Sequence, residues 1–225
     1  MKRIIALLLS VMMILSLTAA AFADESGDYF YIDELGMNLA FPADGYVVFT
    51  RGVAADDPNL KAYGLTQESL VEYFAAQSIY FDAWDETVSH ELVVTMTENP
   101  YESLDGLSSA ILKLVKSSVS EQYSSLGYEV TDSEYTEING ITYMVLHIVL
   151  ASDAASDNIL QYFTIVDHMA INFAWHNYRE ELVQADEELM QDLMDSVIFG
   201  ESLVPQAEPA AAADDSSSKK LGTRG

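Results

Sequence analysis

Cysteine is absent from all 225 residues. The chain therefore has no thiol nucleophile, no Cys-based zinc site, no thiol redox role and no disulfide to staple a small core. Basic residues are almost as scarce, 10 against 36 acidic ones, for a formal charge of −26. So anionic a surface repels the phosphates of nucleic acid and of anionic membranes, and neither is an expected partner. The signatures of common catalysts are missing too: no G-x-S-x-G, no H-E-x-x-H and no glycine-rich phosphate loop. Without disulfides, stability must rest on apolar burial, for which 13 Tyr, 9 Phe and many Val, Ile and Leu provide material.

What is present starts at the N-terminus. Lys2 and Arg3 precede an apolar run, Ile4–Leu9 and Met12–Leu15, and small residues end in Ala21-Phe22-Ala23. A positive n-region, a short h-region and an A-x-A site make a secretory signal peptide, with cleavage expected after Ala23. The run falls short of the ~20 residues a spanning helix needs, and no Cys follows Ala23 to accept a lipid. Lys2 and Arg3 leave with the leader, so eight basic residues face 36 acidic ones and the charge becomes −28. The expected organisation is a signal peptide over 1–23, a single α+β domain over 24–200 and a disordered Ala/Ser/Asp tail over 201–225. No apolar run follows Phe199, so a freely secreted product without a stable membrane anchor is expected. Its lack of disulfides favours a bacterial source.

Within the domain, Tyr29–Ile32, Met37–Phe41 and Tyr46–Phe49 read as strands, with Pro42 ending the second. Residues 51–64 read as a loop. Thr66 is an N-cap for a helix reaching about Ile79, followed by strands over Tyr80–Trp84 and Leu92–Thr97. A longer helix is expected from about Leu104, with a stripe of Leu107, Ile111, Leu114 or Val115, Ser118, Gln122 and Leu126, and Gly127 at its end. Asn139-Gly140 between two β-rich runs is a favoured two-residue hairpin turn. Asp167-His168 joins a second hairpin, Ile159–Val166 with Met169–Trp175, both of whose faces are apolar, so cover is expected on both sides. The last helix is expected from about Arg179 to Val197, burying Leu182, Val183, Leu189, Met190, Leu193, Met194 and Val197. Its opposite face, including Asp186, Glu187 and Glu188, is anionic.

This order, with Met37-Asn38-Leu39-Ala40-Phe41-Pro42, Ile138-Asn139-Gly140-Ile141, the Tyr162-Phe163-Thr164-Ile165 hairpin and the closing Asp195-Ser196-Val197-Ile198-Phe199, resembles the PsbP-like group of extracytoplasmic bacterial proteins. Gly64-Leu65-Thr66 and Leu92–Asn99 also resemble exported proteins of clostridial bacteria. The likeness covers about residues 29–199. It implies an α-β-α sandwich around an antiparallel sheet, and an accessory or binding role without catalysis.

The chemistry legible in the residues is sparse. Four histidines, His90, His147, His168 and His176, carry no metal-site spacing, and the sharpest metal candidate joins His176 to Glu180 across a strand-to-helix junction. Asp56-Asp57, Asp153 with Asp157, and Asp186-Glu187-Glu188 offer hard oxygens for calcium, but none has the EF-hand pattern. With 36 acids some carboxylate pair will always lie at a hydrolase-like spacing, so that signal discriminates nothing. Trp84 and Trp175 read as core anchors. The expectation is thus an exported, non-catalytic domain binding an unknown protein or cell-envelope component, with no cofactor and no catalytic residue. A cation-responsive acidic surface is the alternative, and a hydrolase stands behind both.

Overall fold

The computed structural model describes residues 28–152 and 155–201. The expected signal peptide and nearly all of the expected tail lie outside the described residues, as does Asp153. Strands β3 (Tyr46–Thr50), β4 (Ile79–Asp85), β5 (His90–Glu98), β6 (Tyr128–Ile138), β7 (Ile141–Leu150), β8 (Asn158–Val166) and β9 (Met169–Asn177) form one antiparallel sheet, in the order β3-β4-β5-β9-β8-β7-β6. A smaller sheet of β1 (Tyr29–Ile32), β2 (Met37–Ala40) and β10 (Ile198–Phe199) lies against it. The helices are α1 (Pro58–Ala62), α2 (Gln67–Gln77), α3 (Ser109–Ser125) and α4 (Gln184–Ser196).

Both hairpins close as their turn residues dictate. Asn139 and Gly140 take φ of 53° and 78°, and Asp167 and His168 take 49° and 65°. Such paired positive values match the twist of the strands they join. The second turn sets Val166 opposite Met169, and every later residue of β8 and β9 then falls on a fixed face.

The inner face carries Leu92, Val94 and Met96 of β5, Ile171, Phe173 and Trp175 of β9, and Leu160 and Tyr162 of β8. These merge with Met37, Leu39 and Phe41 from the small sheet and with Met190, Leu193, Met194 and Val197 from and just beyond α4 into one core. The outer face carries two separate clusters. Val47, Phe49, Ile79 and Trp84 pack under Leu60 of α1 and Leu70 and Phe74 of α2. Met144, Leu146, Ile148, Ile159, Phe163 and Ile165 pack under Leu112, Val115, Val119 and Tyr123 of α3. Elements pack on both sheet faces, in three layers, with the outer cover divided into two patches.

The edge strand β6 is long, and long edges invite pairing with other chains. A bulge leaves Thr131 out of register between Val130 and Asp132. Further along, Lys116 Nζ reaches from α3 to donate to the Ser133 carbonyl at 3.0 Å. Both features blunt the edge.

Several elements differ from the sequence expectation. The loop over 51–64 contains α1, because Asp57 caps it by accepting from Asn59 N at 2.8 Å and Pro58 fills its first position. Helix α2 stops at Gln77, where Ser78 turns left-handed (φ 57°), and Ile79 opens β4 instead of closing the helix. Helix α3 starts at Ser109, since Leu104 is buried in the core beneath it and Ser108 caps the helix. Its sheet-facing stripe is Leu112, Val115, Val119 and Tyr123, whereas Leu114 and Leu126 are exposed. Helix α4 begins at Gln184, not Arg179. Asn177 Oδ1 accepts from the N–H groups of Arg179 and Glu180, holding that segment in a turn.

Candidate functional site

In a seven-stranded sheet the central strands are normally the best covered. On the outer face of β5 and β9 they are not. Glu91, Val93 and Thr95 on β5 and Asn172 and His176 on β9 are half-buried, and Thr97 is exposed. The floor here is mixed, with polar side chains beside Val93 and the small, buried Ala170 and Ala174, and it lies between the cluster under α1 and α2 and the cluster under α3. We call this strip the groove.

Hydrogen bonds run across it. The Tyr123 hydroxyl of α3 donates to Gln161 Oε1, Gln161 Nε2 donates to Asn172 Oδ1 at 2.8 Å, and Asn172 Nδ2 reaches Thr95 Oγ1 at 3.3 Å. Burial and the Asp157 charge push the Tyr123 phenol up to about 12. It is therefore a donor throughout the physiological range.

Toward the β5 start and β9 end the groove becomes acidic. Asp82, on β4, is 5 % exposed and stands within hydrogen-bond reach of Glu91. Burial first, then the Glu91 charge and hydrogen bond, hold Asp82 well above the ordinary carboxylate range. The Tyr178 hydroxyl donates to Glu91 Oε2. Burial and the Glu91 charge raise that phenol far above its usual value. The His176 ring stacks on Tyr178, centroids 5.4 Å apart, and its Nδ1 lies 3.0 Å from Asp157 Oδ1. Asp157 Oδ2 accepts from the Tyr128 hydroxyl at 2.7 Å. Burial opposes the charged form of His176, but the hydrogen bond and charge of Asp157 outweigh it and raise its pKa. Two buried polar atoms here have no hydrogen-bond partner among the described residues, Asp82 Oδ1 and Trp84 Nε1.

The sequence-level candidates are dispersed. His176 meets Asp157, across the sheet end, while the Glu180 side chain is exposed. Glu187 is exposed on α4. Asp186 is not part of the anionic outer face expected for it. It is buried on the inner side, accepting from Trp175 Nε1 at 2.8 Å, Val183 N at 2.9 Å and Asn177 Nδ2 at 3.4 Å. Asp57 is used as a helix cap. Among the described residues no group of three or more His, Asp or Glu side chains could hold a metal ion.

Asp82, Glu91 and Tyr178 are not singled out by sequence, and Asp157 only as a calcium candidate beside Asp153. One signal was available: Asp82 is a lone acid inside the apolar run Tyr80–Trp84, where a carboxyl must be buried or break the strand. Its partner Glu91 lies on another strand and needs the β4–β5 register, with Trp84 opposite Glu91, to be found.

The layers and strand order define the class: an α+β protein built as an α-β-α sandwich on an antiparallel sheet. Its fold is PsbP-like. It is similar to the solution structure of cyanobacterial PsbP (CyanoP) from Synechocystis sp. PCC 6803, with a TM-score of 0.50 at 14% identity, over 82% of this chain and 98% of that one. A Pseudomonas aeruginosa protein of unknown function, PA94, aligns over 82% of this chain and 100% of its own at 12% identity, with a TM-score of 0.36. No family model and no curated protein matches the sequence. Among the described residues no helix is long and apolar enough to cross a membrane.

Proposed function

We propose that this chain is an exported, non-catalytic accessory domain that binds a partner protein or cell-envelope component through the groove. The observation that carries the reading is the half-open, partly polar floor on the two central strands, walled by helices on both sides. A sheet that buried this strip would gain stability, and leaving it partly polar and accessible costs some. The groove's phenols are held protonated and so act as hydrogen-bond donors, not as bases. Asp82 and Glu91 are in hydrogen-bond contact, closer than the ~5 Å or more that separates a glycosidase pair. Export rests on the signal peptide.

The test is capture from culture medium and envelope extract with the mature chain as bait. Asn172→Arg, which fills the floor, should release whatever the parent retains, while circular dichroism confirms an unchanged fold. Equal capture by both chains would overturn the groove reading. Recovery of the expressed protein in the membrane pellet would overturn free secretion.

A further inference from the structure

The acidic end of the groove has no Lys or Arg ion-paired to it; its one answering cation is the His176 imidazolium, which is engaged by Asp157. Every ion pair among the described residues involves a histidine, and none involves Lys or Arg. Arg51 lies over the Tyr80 ring, 3.5 Å from its centre, and donates to the Ile79 and Phe74 carbonyls. Lys116 donates to Ser133 and Arg179 to Thr87, both through carbonyls. Glu91 is half-buried, with one oxygen engaged by Tyr178. Next to it Asp82, 5 % exposed, keeps Oδ1 without a hydrogen-bond partner. Tyr178, from the end of β9, touches the pair through Glu91, and Tyr73 from α2, 37% exposed, lies within reach of its field, its phenol raised by burial and by the charges of Asp82 and Glu91. Carboxylates edged by aromatic rings are a setting that favours organic ammonium and guanidinium groups, by ion pairing and by attraction to the ring faces.

We propose that this end of the groove receives a Lys or Arg side chain carried on an extended segment of a partner polypeptide, with Glu91 as its ion-pairing group, Asp82 as second acceptor, and Tyr73 and Tyr178 as walls. The assignment rests on the groove being a binding site and names the chemistry of its occupant. The excess of acid over base on the chain favours the same sign of partner at longer range. Burial and the Glu91 charge make Asp82 hold its proton more tightly than an ordinary carboxyl, and an arriving cation favours release of that proton to solvent. Binding therefore strengthens as pH rises through the raised Asp82 pKa. The titratable groups that interact with the pair are Tyr73 on α2 and His176 and Tyr178 at the end of β9, with Asp157 before β8 acting on His176 and Tyr178. Of these His176 loses a positive charge on going to high pH, which acts in the same direction.

The experiment is calorimetric titration of the mature chain with a nine-residue Gly/Ser peptide bearing one central Lys. The same peptide with norleucine, n-butylammonium and calcium chloride are its controls. The Lys peptide is expected to bind more tightly than n-butylammonium and more tightly at pH 8 than at pH 5. Glu91→Gln should weaken it roughly tenfold or more, about the effect of losing one desolvated ion pair. Asp82→Asn should reduce the pH dependence to the part that His176 supplies, and thermal melts confirm that both variants fold. Equal binding of the norleucine peptide, no binding of either peptide, full affinity in Glu91→Gln, or displacement of the peptide by calcium at equal concentration would each overturn the assignment. A partner captured equally by parent and Glu91→Gln chains, yet lost by Asn172→Arg, would overturn it while leaving the groove reading intact.

Discussion

The two faces of the large sheet use the same chemical groups to opposite ends. At the same end of β5 and β9, each face has a histidine, a carboxylate and an aromatic ring in contact. On the inner face His90 stacks on Trp175 at 5.4 Å, its Nδ1 is 2.9 Å from Asp85 Oδ2, and Trp175 donates to Asp186. There the carboxylates are consumed. Asp186 serves an indole, a side-chain amide and the N–H before a helix, while Asp85 also accepts from Thr87 and Ser89. On the outer face His176 stacks on Tyr178 and meets Asp157, but Asp82 keeps an oxygen unpartnered and the strip beside it stays half-open. Polar groups that fix a fold are answered from several elements at once. Polar groups left partly unanswered beside solvent are the ones to suspect of function.

The largest expected effect tests that contrast directly. Asp186→Ala removes the partner of Trp175 Nε1, of Asn177 Nδ2 and of the Val183 N–H together. It should destabilise the fold by about 3 kcal/mol, combining a lost cap with orphaned buried donors. Asn172→Ala on the outer face, at a half-buried position, should cost under about 1 kcal/mol. Urea melts of the two variants measure both, and comparable losses would erase the distinction between the faces.

A second test concerns pH. Asp82 binds its proton more tightly folded than unfolded, so the wild type is favoured at low pH. That advantage is lost as pH rises from the unfolded carboxyl value, ~3.9, through the raised folded one. Asp82→Asn carries no such term. Its thermal midpoint should exceed that of the parent at pH 8 and approach it near pH 4; a lower midpoint at pH 8 would mean that the carboxyl stabilises the sheet after all.

His176 is expected to act in the same sense over a higher window. Its raised pKa gives a contribution fully present below the unfolded value of ~6.5 and lost as pH climbs through the folded one. His176→Gln should flatten the stability profile from just below pH 6.5 upward. An unchanged slope would show that Asp157 does not hold the imidazolium.

How much of this was readable beforehand depended on the range of the interaction. Hairpin turns, the Thr66 cap and the two-faced β8–β9 ladder are written within a few residues, and they appear as expected. The groove is not, because Glu91 acquires meaning only from β4 across the sheet and Asp157 only from His176, 19 residues on. Asp186 misled for the opposite reason. Helical periodicity puts it on the charged side of α4, yet the turn before the helix brings Val183 N and Trp175 onto its carboxylate. A capping side chain looks like a surface acid until its partners are placed.

Helix α3 shows the same limit most plainly and supplies the smallest expected effect. Its 17 residues include none that is fully buried, and Ser occupies much of its length. Two apolar stripes compete, one through Ile111, Leu114 and Leu126, the other through Leu112, Val115, Val119 and Tyr123. A shift of one residue rotates a helix by ~100°, so choosing between them from hydropathy alone is fragile. The Tyr123–Gln161 and Tyr135–Leu112 hydrogen bonds decide it. Val119→Ala, on the sheet side, should cost about 1 kcal/mol, whereas Leu114→Ala and Leu126→Ala should stay within about 0.5 kcal/mol of the parent. With so thin a seam, α3 amides should exchange hydrogen faster than those of α4, whose Met190, Leu193 and Met194 enter the inner core. Equal protection of the two helices would mean that the outer wall of the groove is as firmly held as the inner layer.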